Sequence, residues 1–428
     1  MNVKLATRFG LSALALAITP AHAVDLRFDG FATFVVGQML DDDELNHDPQ
    51  GNLMTFRGFD DQINFQSNNV FAIQARADLG EGLSATAQIM AKGVDDYDAK
   101  FSWAYLSYEL TPEWTISAGQ MRIPYFYYSE SLDVGYSYPF IRPPFNTYDI
   151  GGFDNISGLK AEWQTDVGNW VSRVTMLAGR TDTTLKISQL PDPVKAQVSR
   201  MGLLAWSMNY DAFTVRGIYA RANLSLGVSD YLDAIGFDRI SNEVDSTLTG
   251  IGLPALGLNF SNDARHGAYY DNDAAEFYGI AFNYDPGPYF VTIESTVLDL
   301  QNGFMQNPGT GTYLNAGVRL GKITPYFTIE RAESDYNEKG YRRLMAEVNH
   351  AGLQAQYGSL VGDLIYSGVG AGLKQVFVSS LKEENAYNIG VRYDFHPSAA
   401  FKLEYMTAKN HNYDLSPQAI AASVDVIF

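Results

Sequence analysis

From residue 26 to the end of the chain, apolar and polar side chains alternate in short runs. Phe71, Ile73, Ala75, Ala77 and Leu79 interleave with Ala72, Gln74, Arg76 and Asp78. Successive side chains of a strand point to opposite faces, so period two predicts a strand with one dry and one wet face. The pattern returns in Leu159, Ala161 and Trp163 against Lys160, Glu162 and Gln164, in Leu314 to Leu320, in Tyr387 to Phe395 and in Phe401 to Tyr405. Tight Gly, Pro, Asp and Asn turns punctuate these runs at 80–82, 111–113, 166–169, around Asp211, and at 285–288, 321–322 and 396–398. Longer polar connections lie between them at 39–69, 93–100, 122–156, 180–197, 223–273, 299–311, 333–386 and 409–418. Seven turns and eight loops predict sixteen strands with both termini on the short-turn side. Apolar stretches such as Leu360 to Tyr366 inside 333–386 leave room for one more hairpin and eighteen strands. A soluble sandwich has short turns at both ends of its sheets, whereas alternating short and long connections over an even strand count predict an all-β, transmembrane, antiparallel up-and-down barrel.

Aromatics flank the tight turns, as Tyr108 and Trp114, Trp163 and Trp170, Tyr210 and Phe213, Tyr284 and Tyr289, and Phe395 and Phe401. Such rings sit well where hydrocarbon meets headgroups, so they predict an interfacial girdle. Ile420, Ala422, Val424, Val426 and Phe428 share one parity, with Ser423 and Asp425 on the other. An unpaired edge in hydrocarbon is costly, so this last strand is expected to pair with Leu26 to Gln38 and close the cylinder.

Lys4 and Arg8 ahead of the uncharged run Leu11 to Ile18, then Pro20 and Ala21-His22-Ala23, read as a secretory leader. Residues 1–23 are therefore set aside and 24–428 taken as one barrel domain, since no linker or shift of composition divides them. Cysteine is absent, which removes disulfide and thiolate chemistry. The net charge of −19 becomes −21 without Lys4 and Arg8, which argues against a grip on nucleic acid.

Leader, amphipathic strands of about ten residues, a long third loop and a terminal phenylalanine together resemble the Gram-negative outer-membrane porins over the whole mature length. The resemblance is most specific at Ala419 to Phe428, which looks like the signal read by the barrel-assembly machinery. It implies an outer-membrane location with periplasmic termini, contact with lipid and lipopolysaccharide, a homotrimer, and a third loop folded into the lumen. The acidic constriction motif of enteric general porins is not evident in that loop, and Gly119 to Tyr125 is faintly similar to solute-selective porins, without assigning a substrate.

Sixteen strands enclose an aqueous passage where about eight would be filled by side chains. Residues 122–156 are too long and too aromatic for a casual connection, and four prolines, Pro124, Pro139, Pro143 and Pro144, stiffen them. The alternative is an external loop or a subunit contact. Arg122 and Arg142 against Glu130, Asp133 and Asp149, with Tyr125, are the expected constriction, arranged to set a field across it or merely to solvate a loop. Lumenal parity adds Arg76, Asp78, Lys160, Glu162, Arg173, Arg216, Glu294, Arg319, Arg392 and Asp394, with Lys402 and Glu404. These signs nearly balance, so the excess negative charge falls in loops such as Asp41-Asp42-Asp43-Glu44 and predicts weak cation preference. The acidic run lacks the ligand spacing of a calcium loop, and no metal or cofactor is expected.

The expected function is passive diffusion of small hydrophilic solutes and ions. One alternative is a substrate-specific channel whose Tyr and Arg bind sugar, carboxylate or phosphate. A barrel enzyme is the remote alternative: His47, His266, His350, His396 and His411 are scattered over four loops and one turn, and neither a Gly-x-Ser-x-Gly elbow nor a metal-type His pair occurs.

Overall fold

Sixteen antiparallel strands pair in chain order and close on themselves in the computed structural model, which describes residues 25–40, 55–148, 152–185, 194–227, 272–300, 309–379, 381–411 and 416–428. They are β1 (Asp25–Met39), β2 (Val70–Gly80), β3 (Leu83–Lys92), β4 (Lys100–Thr111), β5 (Trp114–Arg122), β6 (Asn155–Val167), β7 (Trp170–Leu185) and β8 (Val194–Tyr210). The second half comprises β9 (Phe213–Leu226), β10 (Asp273–Tyr284), β11 (Tyr289–Leu300), β12 (Gly309–Val318), β13 (Ile323–Ser334), β14 (Glu383–His396), β15 (Ala399–Asn410) and β16 (Gln418–Ile427). All seven expected turns join strands at one rim and all eight expected long connections lie at the other. The expected all-β barrel and its count of sixteen are thus observed.

Closure runs through β1 and β16, with Thr33 opposite Asp425 and Phe31 opposite Ile427. Gly30 and Phe428 exchange backbone hydrogen bonds of 2.7 and 2.9 Å. A Cβ on Gly30 would lie 2.3 Å from the Phe428 ring, so only glycine lets the terminal aromatic seal the seam.

Outward residues carry the apolar parity. Leu159, Ile280, Ile389 and Phe34 are exposed, beside Phe71, Ile73, Leu403 and Ile420. A contiguous apolar belt around a closed cylinder is built for hydrocarbon rather than water. At its short-turn edge the expected girdle forms in pairs: Trp114 and Trp163 centroids are 6.2 Å apart, Trp170 and Tyr210 5.1 Å, and Phe213 and Tyr284 4.4 Å.

Two parts differ from the sequence reading. Among the described residues, the connection between β13 and β14 holds no extra hairpin: it forms helices α2 (Glu338–Glu347), α3 (His350–Tyr357) and α4 (Ser359–Ser379), and Leu360 to Tyr366 belongs to α4. Asn337 and Asn349 cap the first two by accepting from the N–H of Gly340 and Gly352, which starts helices where strand pairing has ended. The second difference is that the inward face of β7 to β10 is apolar rather than wet toward the long-loop rim, where Leu177, Val198, Met201, Leu203, Ala220, Leu224 and Phe277 point inward and are buried. The third loop covers them.

Candidate lumenal site

L3, the connection 123–154, enters the lumen as expected and crosses its whole section. Its first leg docks on the apolar wall. Tyr125 packs edge-on against Phe277 at 5.0 Å, Phe126 stacks on Tyr148 at 4.3 Å, and the Arg216 guanidinium donates to the Pro124 carbonyl. Glu294 then grips the loop with both oxygens, accepting from Tyr127 N and from the Tyr148 hydroxyl, each at 2.8 Å.

The loop next turns at Asp133, across the barrel. This buried carboxylate bridges Lys92 at the end of β3, 2.8 Å away, and Arg122 at the end of β5. Burial alone would raise its pKa, but Lys92 and Arg122 hold it well below the usual carboxylate range.

Its second leg lies on β14 to β16. Lys402, with no side-chain exposure, donates to the carbonyls of Gly135 (2.6 Å) and Phe140 (2.7 Å) and pairs with Asp425 at 3.0 Å, which also accepts from Thr33 at 2.7 Å. Arg392 donates to the carbonyls of Tyr136 and Tyr138 at 2.6 and 3.1 Å. A Cβ on Gly135 would fall 2.0 Å from an Asp425 carboxylate oxygen, so glycine permits this approach. Tyr138 and Phe140 stack at 4.7 Å in a cluster with Phe290 and Tyr326. The return leg forms α1 (Phe145–Tyr148), whose Asn146 N–H donates to Glu330 at 2.9 Å. Burial pushes the phenols of Tyr128, Tyr138 and Tyr148 above their ordinary range, so they stay neutral donors and packing groups.

Among the described residues, two cavities flank the loop. One of about 370 Å³ opens toward the long-loop rim between Arg57, Asn68, Lys92, Asp133, Arg142 and Phe145. The other, about 470 Å³, reaches from Glu113 at a short turn up to Arg122, past Trp103, Tyr105, Glu130, Lys160, Glu162 and Arg173. Lys92 and Asp133 border the first and Arg122 borders the second, so their ion pairs stand between the two.

The expected constriction residues are thus distributed in three ways. Arg122 and Asp133 come together as a direct pair rather than as charges set across an opening. Glu130 borders the lower cavity, and Arg142 borders the upper one and donates to the Asn68 carbonyl. Tyr125 lines neither, because its ring is spent on the wall. Asp149 and the acidic run 41–44 lie outside the described residues. Among the parity residues, Lys160 pairs with Glu162 at 2.8 Å and Arg173 donates twice to Gln164. Arg76 and Asp78 are exposed on β2. Arg319 pairs with Asp285 at 2.6 Å at a short turn, and Arg392 with Asp394 at 2.8 Å. The sequence reading passed over Lys92, Arg57 and Glu330. Lumenal parity gives Lys92, after Gln88 and Met90, and Glu330, between Ile329 and Arg331; Arg57 lies in a loop and no period marks it.

No family model matches this chain, and no curated protein matches it in sequence. Solved structures match in fold. The outer membrane channel DcaP of Acinetobacter baumannii aligns over 95% of this chain and 97% of its own with a TM-score of 0.55 and 10% identity. A loop L8 deletion mutant of OmpT, an outer membrane protein of Vibrio cholerae, aligns over 95% and 100% with 0.53 and 10% identity. Salmonella typhi OmpF, in a complex with daunomycin, aligns over 94% and 97% with 0.51 and 11% identity. What these structures share with this chain is the fold.

Proposed function

We propose that this chain is an outer-membrane channel for passive movement of small hydrophilic solutes and ions, with its narrowest section at Lys92, Asp133 and Arg122. The observation that carries the reading is a sixteen-stranded cylinder, apolar outside, with charged cavities above and below an inserted loop. Selectivity of a pore follows its tightest section and the charges there. The start of β1 and the end of β16 lie on the short-turn rim, which the reading assigns to the periplasm together with both termini, with the long loops outside. Assembly as a homotrimer, insertion by the barrel-assembly machinery and contact with lipopolysaccharide belong to the same reading. Weak cation preference follows from the acidic loops rather than from the narrow section, where Lys92 and Arg122 are balanced by Asp133 and Asp154.

Planar-bilayer recording of the purified protein tests it. Stepwise conductance in multiples of three, altered by Asp133→Asn, is the expected result. Membrane-inserted protein that carries no current overturns the reading.

A substrate-specific channel is the second reading, favoured by one observation. The lower cavity places Trp103, over which the Arg122 guanidinium lies at 5.4 Å, beside Lys160 and Arg173. Rings stack on such a platform and cations hold carboxylate or phosphate. Saturable blockade by a ring-bearing anion selects this reading, and unsaturable flow selects simple sieving. Among the described residues, His350 contacts Asp363, His411 contacts Asn385 and His396 accepts from Ser398 N, at three separate places.

A further inference from the structure

The outer wall of β7 to β9 carries arginines just where its apolar belt ends. Inward positions at that level, Leu177, Met201, Ala220 and Ala222 among them, are sealed beneath L3. The alternate residues Arg180, Arg200 and Arg221 therefore point away from the lumen. The side chains of Arg180 and Arg221 are 70% and 59% exposed, and Arg200 is exposed as well.

Two irregularities bring the three to one level. The β7 and β8 ladder jumps between Gly179 opposite Met201 and Thr181 opposite Val198, which sets Arg180 against the bulge containing Arg200. The β8 and β9 ladder jumps between Ser199 opposite Asn223 and Gly202 opposite Arg221, which sets Arg200 beside Arg221. Arg200 has φ +49°, a left-handed conformation that non-glycine residues adopt at a cost, and a bulge of this kind re-aims a side chain. Neighbouring strands are about 4.8 Å apart, so the three guanidinium groups can converge on one small anion. Lys195, also exposed, extends the row toward the long-loop rim.

Below the row lie Met176, Leu204, Trp206 and Val215 on the outer face, and the ring pair Tyr219 and Tyr278, 5.2 Å apart. Aromatics of this kind mark the boundary of hydrocarbon. Asp182 stands 3.5 Å from Arg180 and Glu276 3.5 Å from Arg221, with Glu276 also held by the Tyr278 hydroxyl at 2.5 Å. Arg200 and Lys195 have no acidic partner among the described residues. Such a surplus of cations runs against a net charge of −19. At the same rim on β13, by contrast, Arg331 is paired with Glu333.

We infer that Arg180, Arg200 and Arg221 form an outward docking site for the phosphate of an anionic lipid in the leaflet on the long-loop side. Headgroup phosphates lie just beyond the hydrocarbon, which is the depth of this row. Guanidinium forks bind phosphate oxygens two at a time, and clustered cations next to a membrane attract anionic lipid. The site rests on the outer-membrane reading above but not on conduction.

Native mass spectrometry of the full chain in mild detergent tests it, with a bis-phosphorylated glucosamine lipid and its dephosphorylated counterpart as probes. The expected result is retention of the phosphorylated lipid alone, lowered at least about tenfold by R180A/R200A/R221A and only partly recovered by R180K/R200K/R221K, which keep the charge but lose the fork. The single variant R200A lowers it less and serves if the triple variant does not fold. Equal retention of the two lipids, or of the phosphorylated lipid by wild type and variants, overturns the inference. Unitary conductance of the variants stays at the wild-type value, because the row faces away from the lumen. Lipid retention by a wild type that carries no current would remove the channel reading and leave this one standing.

Discussion

On β11 to β16, Glu294, Glu330, Lys402, Glu404 and Asp425 are at most 2% exposed and are engaged with L3, with Thr33 and Asn388 on neighbouring strands, or with one another. On β6 and β7, Lys160, Glu162 and Arg173 line an open cavity and touch only their strand neighbours. Both walls draw on the same residue types at the same lumenal parity. The difference is what covers them. Ionic groups become a fastening when a loop excludes water from them, since an unmatched buried charge is then costly. Left in water, comparable pairs contribute little to stability but remain available to passing ions.

The largest expected effect breaks the fastened wall. Lys402→Met strands Asp425 and frees the carbonyls of Gly135 and Phe140, at a cost of about 3–5 kcal/mol. Urea-induced unfolding in lipid vesicles reads this, and single-channel noise should rise as the second leg of L3 loosens; an unshifted midpoint would mean the latch carries no strain of attachment. Glu294→Gln is smaller, about 1–3 kcal/mol, because Tyr127 N and the Tyr148 hydroxyl compete for one remaining carbonyl oxygen. The same unfolding experiment ranks the two variants.

Asp133, which ties L3 to the ends of β3 and β5 between the two walls, supplies a pH test. Its carboxyl is depressed in the folded protein, after Lys92 and Arg122 outweigh its burial. A depressed carboxyl stabilises fully above its unfolded value of about 3.9 and is lost only as pH falls through the lower folded value. Unitary conductance is therefore expected to hold steady from about pH 7 to about pH 4 as far as this bridge decides it. Asp133→Asn leaves Lys92 and Arg122 facing each other and should change conductance already at neutral pH. A wild-type conductance that collapses together with the bridge near the ordinary carboxylate range would contradict this arrangement.

The smallest effect on stability belongs to the open wall. Arg173→Glu should leave the unfolding midpoint within about 0.5 kcal/mol, as surface substitutions do, while moving the cation-to-anion permeability ratio about twofold toward cations. Reversal potentials in a salt gradient measure it. If stability falls as far as in Lys402→Met, the two walls do not differ in the way described.

Much of this architecture was legible residue by residue. Leu159, Ala161 and Trp163 against Lys160, Glu162 and Gln164 announce which face is which, and Gly80, Pro112 and Pro286 mark turns, because strand period and turn chemistry are local. The helices α2 to α4 escaped, since the apolar stretch Leu360 to Tyr366 suits a buried strand as well as a helix and only its surroundings choose. The apolar lumenal wall of β7 to β10 escaped for a related reason: alternation fails where both faces are dry, and nothing local to Met201 or Leu203 says that L3 will lie over them.

The chain by itself determined a barrel of sixteen or eighteen strands, the rim at which each tight turn lies and the two faces of each alternating run, because a period of two is a property of neighbours in sequence. Tertiary structure alone decided which lumenal charges would be buried and which would stay wet. Thr33 and Asp425 are separated by 392 positions and meet only because the barrel closes. Gly135 then fits against them only because L3 crosses the lumen. Energies of that kind depend on the exclusion of water by distant segments, and no local pattern records them.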